Sequence, residues 1–165
     1  MVSNEFDMKF LITIVLLLGI IIPSYANVDE DIIELRELYY SSTNSKVNTD
    51  KLVEYLKHIT FNSSTVYKGY KGMSFLLISK HSWNPIDKLS FFKLGVLWLE
   101  SSIENDLCNI ELRFLRLSVQ NNVPSFLNYN NYIEEDRDYL VSNYKYLDDE
   151  DLKNRISNYL LLQTK

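Results

Sequence analysis

Apolar residues recur at spacings of three and four along the chain after residue 27, and strict apolar–polar alternation is hard to find there. This period is typical of amphipathic helices and not of half-buried strands. The pattern predicts about seven helices, which start near residues 29, 49, 64, 85, 109, 131 and 148. We therefore expect an all-α fold, either a helical bundle or a short solenoid of helix hairpins.

Polar residues mark several of the predicted helix starts. Asn84 followed by Pro85 gives the firmest boundary, because Asn accepts a backbone N–H at a helix start and proline suits the first helical position. Asn48 or Thr49 is expected to cap the second helix. The fifth helix is expected from Asn109 to Asn121.

Glycines interrupt the third predicted helix at Gly69 and Gly72. Each costs about 1 kcal/mol in a helix relative to alanine. Since glycine has no side chain, we expect another helix to approach closely at these positions.

Two acidic runs occur near the end of the chain. Residues 148–151 lack the glycine and alternating oxygen ligands of a calcium loop, so we interpret them as a helix start, where acidic groups favour the positive end of the dipole. Glu134, Glu135, Asp136 and Asp138 are interpreted as a solvated helix face.

The first 26 residues have the parts of a signal peptide. An apolar run, Phe10–Ile22, is followed by Pro23, and Ser24 and Ala26 are small residues at the −3 and −1 positions of a cleavage site. This pattern predicts cleavage between Ala26 and Asn27.

A membrane helix is the alternative interpretation of the same run. Its 13 residues span roughly 20 Å, less than the hydrocarbon core of about 30 Å, which favours cleavage. Glu5 and Asp7 are unusual before such a run, and a true start at Met8 is our hypothesis for them. We expect residues 27–165 to form one domain, periplasmic or secreted, that meets the membrane only transiently through the signal peptide.

Composition and charge exclude several classes of partner. The 165 residues contain 17 Lys and Arg against 22 Asp and Glu, and this net charge of −5 argues against nucleic acid. The single cysteine, Cys108, excludes an intramolecular disulfide and a zinc site of several thiolates. His58 and His81 have no second ligand at metal spacing, and no serine-hydrolase motif is present. We expect no cofactor, and the sequence favours a non-enzymatic protein over an enzyme.

The fifth predicted helix carries a narrow polar stripe. At 100° per residue, Arg113, Arg116 and Gln120 fall within about 60° of one another, bordered by Leu112 and Leu117. A polar stripe between apolar flanks is typical of a helix that lies between neighbours.

Two interpretations of the stripe are open. In the favoured one, the arginines pair with acids of neighbouring helices, because partly buried arginines are usually paired within the protein. In the other, Arg113, Arg116, Gln120 and Tyr129 bind a carboxylate or phosphate ligand. The candidate acids are Glu100 or Glu104 on one side and Glu134 or Glu135 on the other. Phe126, Tyr129 and Tyr132 are further candidates for a recognition surface around the loop after this helix.

The region from Gly72 onward resembles the tetratricopeptide pattern in part. Gly72 and Phe75 have the spacing of a first repeat helix, and Gly95, Leu99 and Ser102 have the small–large–small spacing of a second. Two features depart from the pattern: residues 27–165 contain no alanine, and the link between the helices is about eleven residues too long. We therefore expect divergent tetratricopeptide-like helix pairs.

Five segments are similar to a group of exported helical proteins of flavobacteria-like Gram-negative bacteria. The resemblance covers roughly half of residues 27–165; it implies an exported helical protein and supplies no activity. The segments are Gly-Tyr-Lys-Gly at 69–72, Asn-Pro at 84–85, Leu-Glu-Ser-Ser-Ile at 99–103, Glu-Leu-Arg-Phe-Leu-Arg-Leu-Ser-Val-Gln at 111–120 and Pro-Ser-Phe-Leu-Asn-Tyr at 124–129.

These observations predict an exported, non-enzymatic α-helical protein that binds a protein or peptide partner in the cell envelope. Helical repeats provide extended surfaces for such partners. One alternative is a binder or enzyme for a small anionic ligand that uses the Arg113, Arg116 and Gln120 stripe. A structural component of the envelope is the other alternative.

Overall fold

The computed structural model describes residues 28–163, and side chains from residue 31. The predicted signal segment, with its cleavage point between Ala26 and Asn27, lies outside the described residues. Internal contacts divide the chain into a unit that ends at Ile32 and a compact unit that begins at Ile33. The first unit is described only from residue 28, where it forms the start of the first helix. All packing described below belongs to the second unit.

All regular structure in residues 28–163 is helical, which confirms the all-α prediction and the number of helices. Short 3-10 turns at Ser125–Leu127 and Tyr144–Tyr146 lie on either side of the sixth helix. The helices are α1 (Val28–Ser42), α2 (Lys46–Tyr55), α3 (Thr65–His81), α4 (Pro85–Asn105), α5 (Ile110–Gln120), α6 (Ile133–Asn143) and α7 (Glu150–Gln163).

Side-chain caps fix several helix starts where the sequence predicted them. Asn84 Oδ1 accepts the N–H of Ile86 at 2.9 Å, and Pro85 opens α4. Asn109 Oδ1 accepts the N–H of Leu112 at 3.1 Å at the start of α5. These bonds satisfy donors that have no partner within the helix.

The predicted start of α2 was wrong. The helix begins at Lys46, and Ser45 is its cap, with the Ser45 Oγ accepting the N–H of Asn48 at 3.3 Å. Thr49 lies inside the helix and is buried, and its hydroxyl donates to the carbonyls of Ser42 and Ser45. These two bonds and its burial hold Thr49 within α2, and Ser45, four residues earlier, is the residue that caps the helix.

The glycines bring α3 and α4 into close contact. A Cβ on Gly72 would lie 2.8 Å from the carbonyl oxygen of Gly95 and 2.9 Å from the backbone nitrogen of Leu99. A Cβ on Gly69 would meet the side chain of Leu112 on α5. The expected close approach is therefore confirmed at both glycines of α3.

Helix α5 lies among its neighbours, as the stripe predicted. It contacts α3, α4 and α6, and Leu112, Leu115 and Leu117 on it are fully buried. Phe114 and Leu117 of α5 also form one apolar cluster with Leu140 of α6 and with Leu152 and Ile156 of α7. No helix within residues 28–163 combines the length and apolar character needed to cross a membrane.

Candidate functional site

The arginine stripe of α5 is paired with acids, as the favoured interpretation predicted. Arg116 donates to Asp136 from Nε and Nη2, each at 2.7 Å, and its Nη1 donates to Glu100 at 3.1 Å. Arg113 donates to Glu135 at 2.9 Å and to Asp136 at 3.1 Å. Pairing with Glu100 and Glu135 is confirmed. Glu134 instead pairs with Arg137 of its own helix.

Asp136 is the central acid of this cluster, and its interpretation as a solvated residue was wrong. It is completely buried, whereas its neighbours Glu134, Glu135 and Asp138 are exposed. The difference is positional, because Asp136 lies on the side of α6 that faces α5, where two guanidinium groups reach it. The buried carboxylate is thus compensated by hydrogen bonds and charge.

One aromatic ring lies over each of the two guanidinium groups. The Arg116 Cζ lies 4.1 Å from the centroid of the Tyr132 ring, and the Arg113 Cζ lies 4.4 Å from that of Tyr139. Burial alone would lower the pKa of Arg116, but the hydrogen bonds and negative charges of Asp136 and Glu100 together outweigh burial and raise the pKa. Each arginine is therefore held by acids of the protein and has one aromatic ring over its guanidinium group.

Tyr129 belongs to the same cluster through Glu100. Its hydroxyl donates to Glu100 Oε1, and its ring lies edge-on to Phe92 with a centroid distance of 6.0 Å. Burial, and then the charge of Glu100, raise the pKa of Tyr129 well above its usual value. This hydroxyl is engaged in a contact that ties the loop after α5 to α4.

Gln120 differs from the rest of the stripe. It is buried, and neither atom of its amide has a hydrogen-bond partner within residues 28–163. An unpaired buried polar group costs about 1–3 kcal/mol. The ligand role predicted for Gln120, Arg113, Arg116 and Tyr129 remains a prediction.

A second buried ion cluster, which the sequence analysis missed, is centred on Arg36 of α1. Arg36 donates to both carboxylate oxygens of Glu111 on α5, at 2.7 and 2.8 Å, and to Asp149 and Asp151 at 2.8 and 3.0 Å. The hydroxyl of Tyr70 donates to Glu111 at 2.7 Å. The cluster therefore joins α1, α3, α5 and the start of α7.

The acidic run at 148–151 is a helix start, as predicted, and is also part of this cluster. Asp149 Oδ1 accepts the N–H of Leu152 at 3.0 Å, and its other oxygen accepts from Arg36. Burial raises the pKa of Asp149, but the bonds from Arg36 and the backbone outweigh burial, so the net shift is downward.

An apolar cavity of about 830 Å³ lies among the described residues. Residues of α1, α3, α4, α5 and α7 line it, together with the loop after α5, and one side is open to solvent. Met73, Leu77, Phe92 and Leu115 form part of its buried wall. Pockets of about 300–1,000 Å³ with mostly apolar walls are typical binding sites.

Polar side chains also line this cavity, although most of its surface is apolar. Tyr40 lines it, and burial raises the pKa of Tyr40 to about 12, so its phenol is neutral near pH 7. Lys80 and Lys88 also line it, and no Asp or Glu side chain in the described part of the chain does. Of the three aromatic candidates around the loop, Phe126 lines the cavity, while Tyr129 and Tyr132 belong to the arginine cluster.

The loop after α5 lines part of the cavity and supplied one signal of it in the sequence, which is the aromatic Phe126 in a polar loop. The remaining wall comes from residues far apart in the chain. Within residues 28–163, no three His, Cys, Asp or Glu residues are arranged to hold a metal ion.

The described residues define an all-α protein with an apolar cavity and two buried ion clusters. No protein-family model matches the chain, and no curated protein and no solved structure matches it.

Proposed function

We propose that this protein is an exported, non-enzymatic interaction module of the cell envelope, and that its apolar cavity binds a segment of a protein or peptide partner. The cavity of about 830 Å³ carries the proposal, because its wall is apolar and is built from five helices. The signal-peptide pattern of residues 1–26 supports export.

The open side of the cavity favours a peptide over an enclosed small molecule. Two apolar residues at its edge, Leu89 and Phe126, are 43% and 77% exposed. Small-molecule sites bury about 70–90% of their ligand, whereas a helix or extended segment covers a groove from outside. A partner segment that covers these two side chains would remove them from water.

The α3–α4 hairpin supports a relation to tetratricopeptide repeats, which we also propose. Small residues lie where its two helices touch, at Gly72 and Gly95, and Leu99 is buried beside them. Repeats of this kind hold peptides against a surface built from successive helices.

The arginine stripe supports a ligand site less well. Every guanidinium nitrogen of Arg116 already donates to Asp136 or Glu100. An incoming anion would have to compete with these two carboxylates, of which Asp136 is completely buried, and would meet their negative charge.

Capture from an envelope extract tests the proposed function. The full chain is expressed with its predicted signal segment, purified after export and immobilised, next to the variants Leu89→Glu and Leu97→Glu. Both residues are exposed on α4, but only Leu89 lines the cavity. We expect the parent and Leu97→Glu to retain the same partner and Leu89→Glu to lose it. Equal retention by all three proteins, or none by the parent, contradicts the proposal.

A further inference from the structure

The charge around the cavity differs from that of the whole chain. The chain has 22 acidic and 17 basic residues, yet among the described residues the cavity is lined by Lys80 and Lys88 and by no acidic side chain. An occupant with negative charge at this edge would meet two cations and no like charge.

Lys88 lies on the cavity side of α4. Pro85, Lys88, Leu89 and Phe92 line the cavity at the spacings of one helix face, and Asp87 is turned about 100° away from Lys88. A cation in the first turn of a helix is disfavoured by the helix dipole. Lys88 is exposed and forms no ion pair with the side chains described between residues 31 and 163, so its charge is available to a partner.

Lys80 lies next to the same edge. Its ammonium donates to the carbonyl of Thr43 at 2.6 Å, and no carboxylate pairs with it in the described chain. The hydroxyl of Ser79 donates to the carbonyl of Lys88 at 2.7 Å, which ties the last turn of α3 to the first turn of α4. The two lysines are therefore carried by backbone segments that are fixed to each other.

We propose that the segment bound in the cavity is an acidic amphipathic helix, whose apolar face fills the cavity and whose carboxylates meet Lys88 and Lys80. An amphipathic helix places apolar side chains in a groove at spacings of three and four, and leaves its flanks free for charged residues. This inference rests on the proposed function and adds the chemistry of the partner.

Selection from a library of random 16-residue peptides displayed on phage tests the inference without a known partner. The exported full chain is the target, and peptides that also bind Leu89→Glu are removed. We expect the selected peptides to combine apolar residues at helical spacing with an excess of Asp and Glu.

One selected peptide is then synthesised, together with a counterpart in which amides replace its carboxylates. Fluorescence anisotropy gives their affinities for the parent, Lys88→Met and Lys93→Met. Lys93 is the matched control, since it is exposed on α4 and does not line the cavity. We expect about tenfold weaker binding with Lys88→Met, no change with Lys93→Met, and about tenfold weaker binding of the amide peptide to the parent. The amide peptide should not weaken further with Lys88→Met.

The outcomes separate the two proposals. Selected peptides without excess acid, or equal affinity of the acidic and amide peptides, overturn this inference and leave the proposed function standing. A library that yields no peptide dependent on Leu89 overturns both. Two further results would show that a peptide is not the occupant. One is that palmitate binds the cavity more tightly than any selected peptide does. The other is that this chain forms a dimer that Leu89→Glu dissociates.

Discussion

Replacing Arg116 by methionine tests whether the arginine stripe is structural. The substitution keeps an unbranched side chain of similar length but removes all three bonds that Arg116 makes to Asp136 and Glu100. Asp136 is completely buried, so its charge cannot return to water in the folded protein. The free energy of unfolding should therefore fall.

The size of the effect follows from what remains around Asp136. Removing one partner of a buried ion pair costs about 3–5 kcal/mol. Arg113 still donates to Asp136 at 3.1 Å, so we expect the lower end, about 3 kcal/mol. With a denaturant slope of about 2 kcal/mol/M for urea, the unfolding midpoint should fall by about 1.5 M.

Urea unfolding followed by circular dichroism at 222 nm measures this shift. Arg137→Met is the matched control, because Arg137 pairs with the exposed Glu134 one turn away, and such pairs contribute about 0–1 kcal/mol. Adding Asp136→Leu to Arg116→Met removes the stranded carboxylate and should restore much of the stability. A midpoint of Arg116→Met equal to that of the parent would refute the reasoning and favour an open anion site.

Three further measurements test other parts of the structure. Gln120→Met removes an unpaired buried amide and should raise the free energy of unfolding by about 1 kcal/mol; a loss of stability would show that the amide is paired in solution. Gly72→Ala should lower the free energy of unfolding by about 1–3 kcal/mol, because the added Cβ meets backbone atoms of α4. Gly69→Ala should lower it less, because the added Cβ meets a leucine side chain that can move. Equal unfolding midpoints for the two variants would contradict this. The pKa of Asp149 is lowered in the folded state, so the stability it contributes is present above about pH 4 and is lost as pH falls through the folded-state pKa. Hydrogen exchange should therefore show α7 losing protection below pH 4 before α3 and α4 do, and a uniform loss would count against the Arg36 bond.

The sequence predicted the helices well because each is defined by local signals. Period, caps and glycines act over a few residues, as at Asn84 and Gly72, and these positions agree with the structure. The start of α2 was misplaced for the same reason, since Ser45, Asn48 and Thr49 are all suitable caps and only packing decides among them.

The buried acids were harder to predict because burial depends on which helix lies opposite. Asp136 carries the same carboxylate group as the exposed Glu135 beside it. It is a core residue because α5 packs against its side of α6. Arg36 gave no signal for the same reason, because its partners are more than 70 residues away. The cavity is likewise assembled from five helices, so no single segment reveals it.

The Arg36 cluster also constrains the order in which the chain can complete its fold. Arg36 lies 75 residues before Glu111 and 113 residues before Asp149 in the sequence. Synthesis proceeds from the N-terminus, so Arg36 and Glu111 can meet while the residues that start α7 are still to be made. The carboxylates of Asp149 and Asp151 can bind only after residue 151 has been made, and chain closure over such distances is slow compared with local helix formation. A nascent chain of this protein therefore lacks the ion pairs of Arg36 with Asp149 and Asp151 until the residues that start α7 have been made, and during that time the Arg36 guanidinium has Glu111 as its partner.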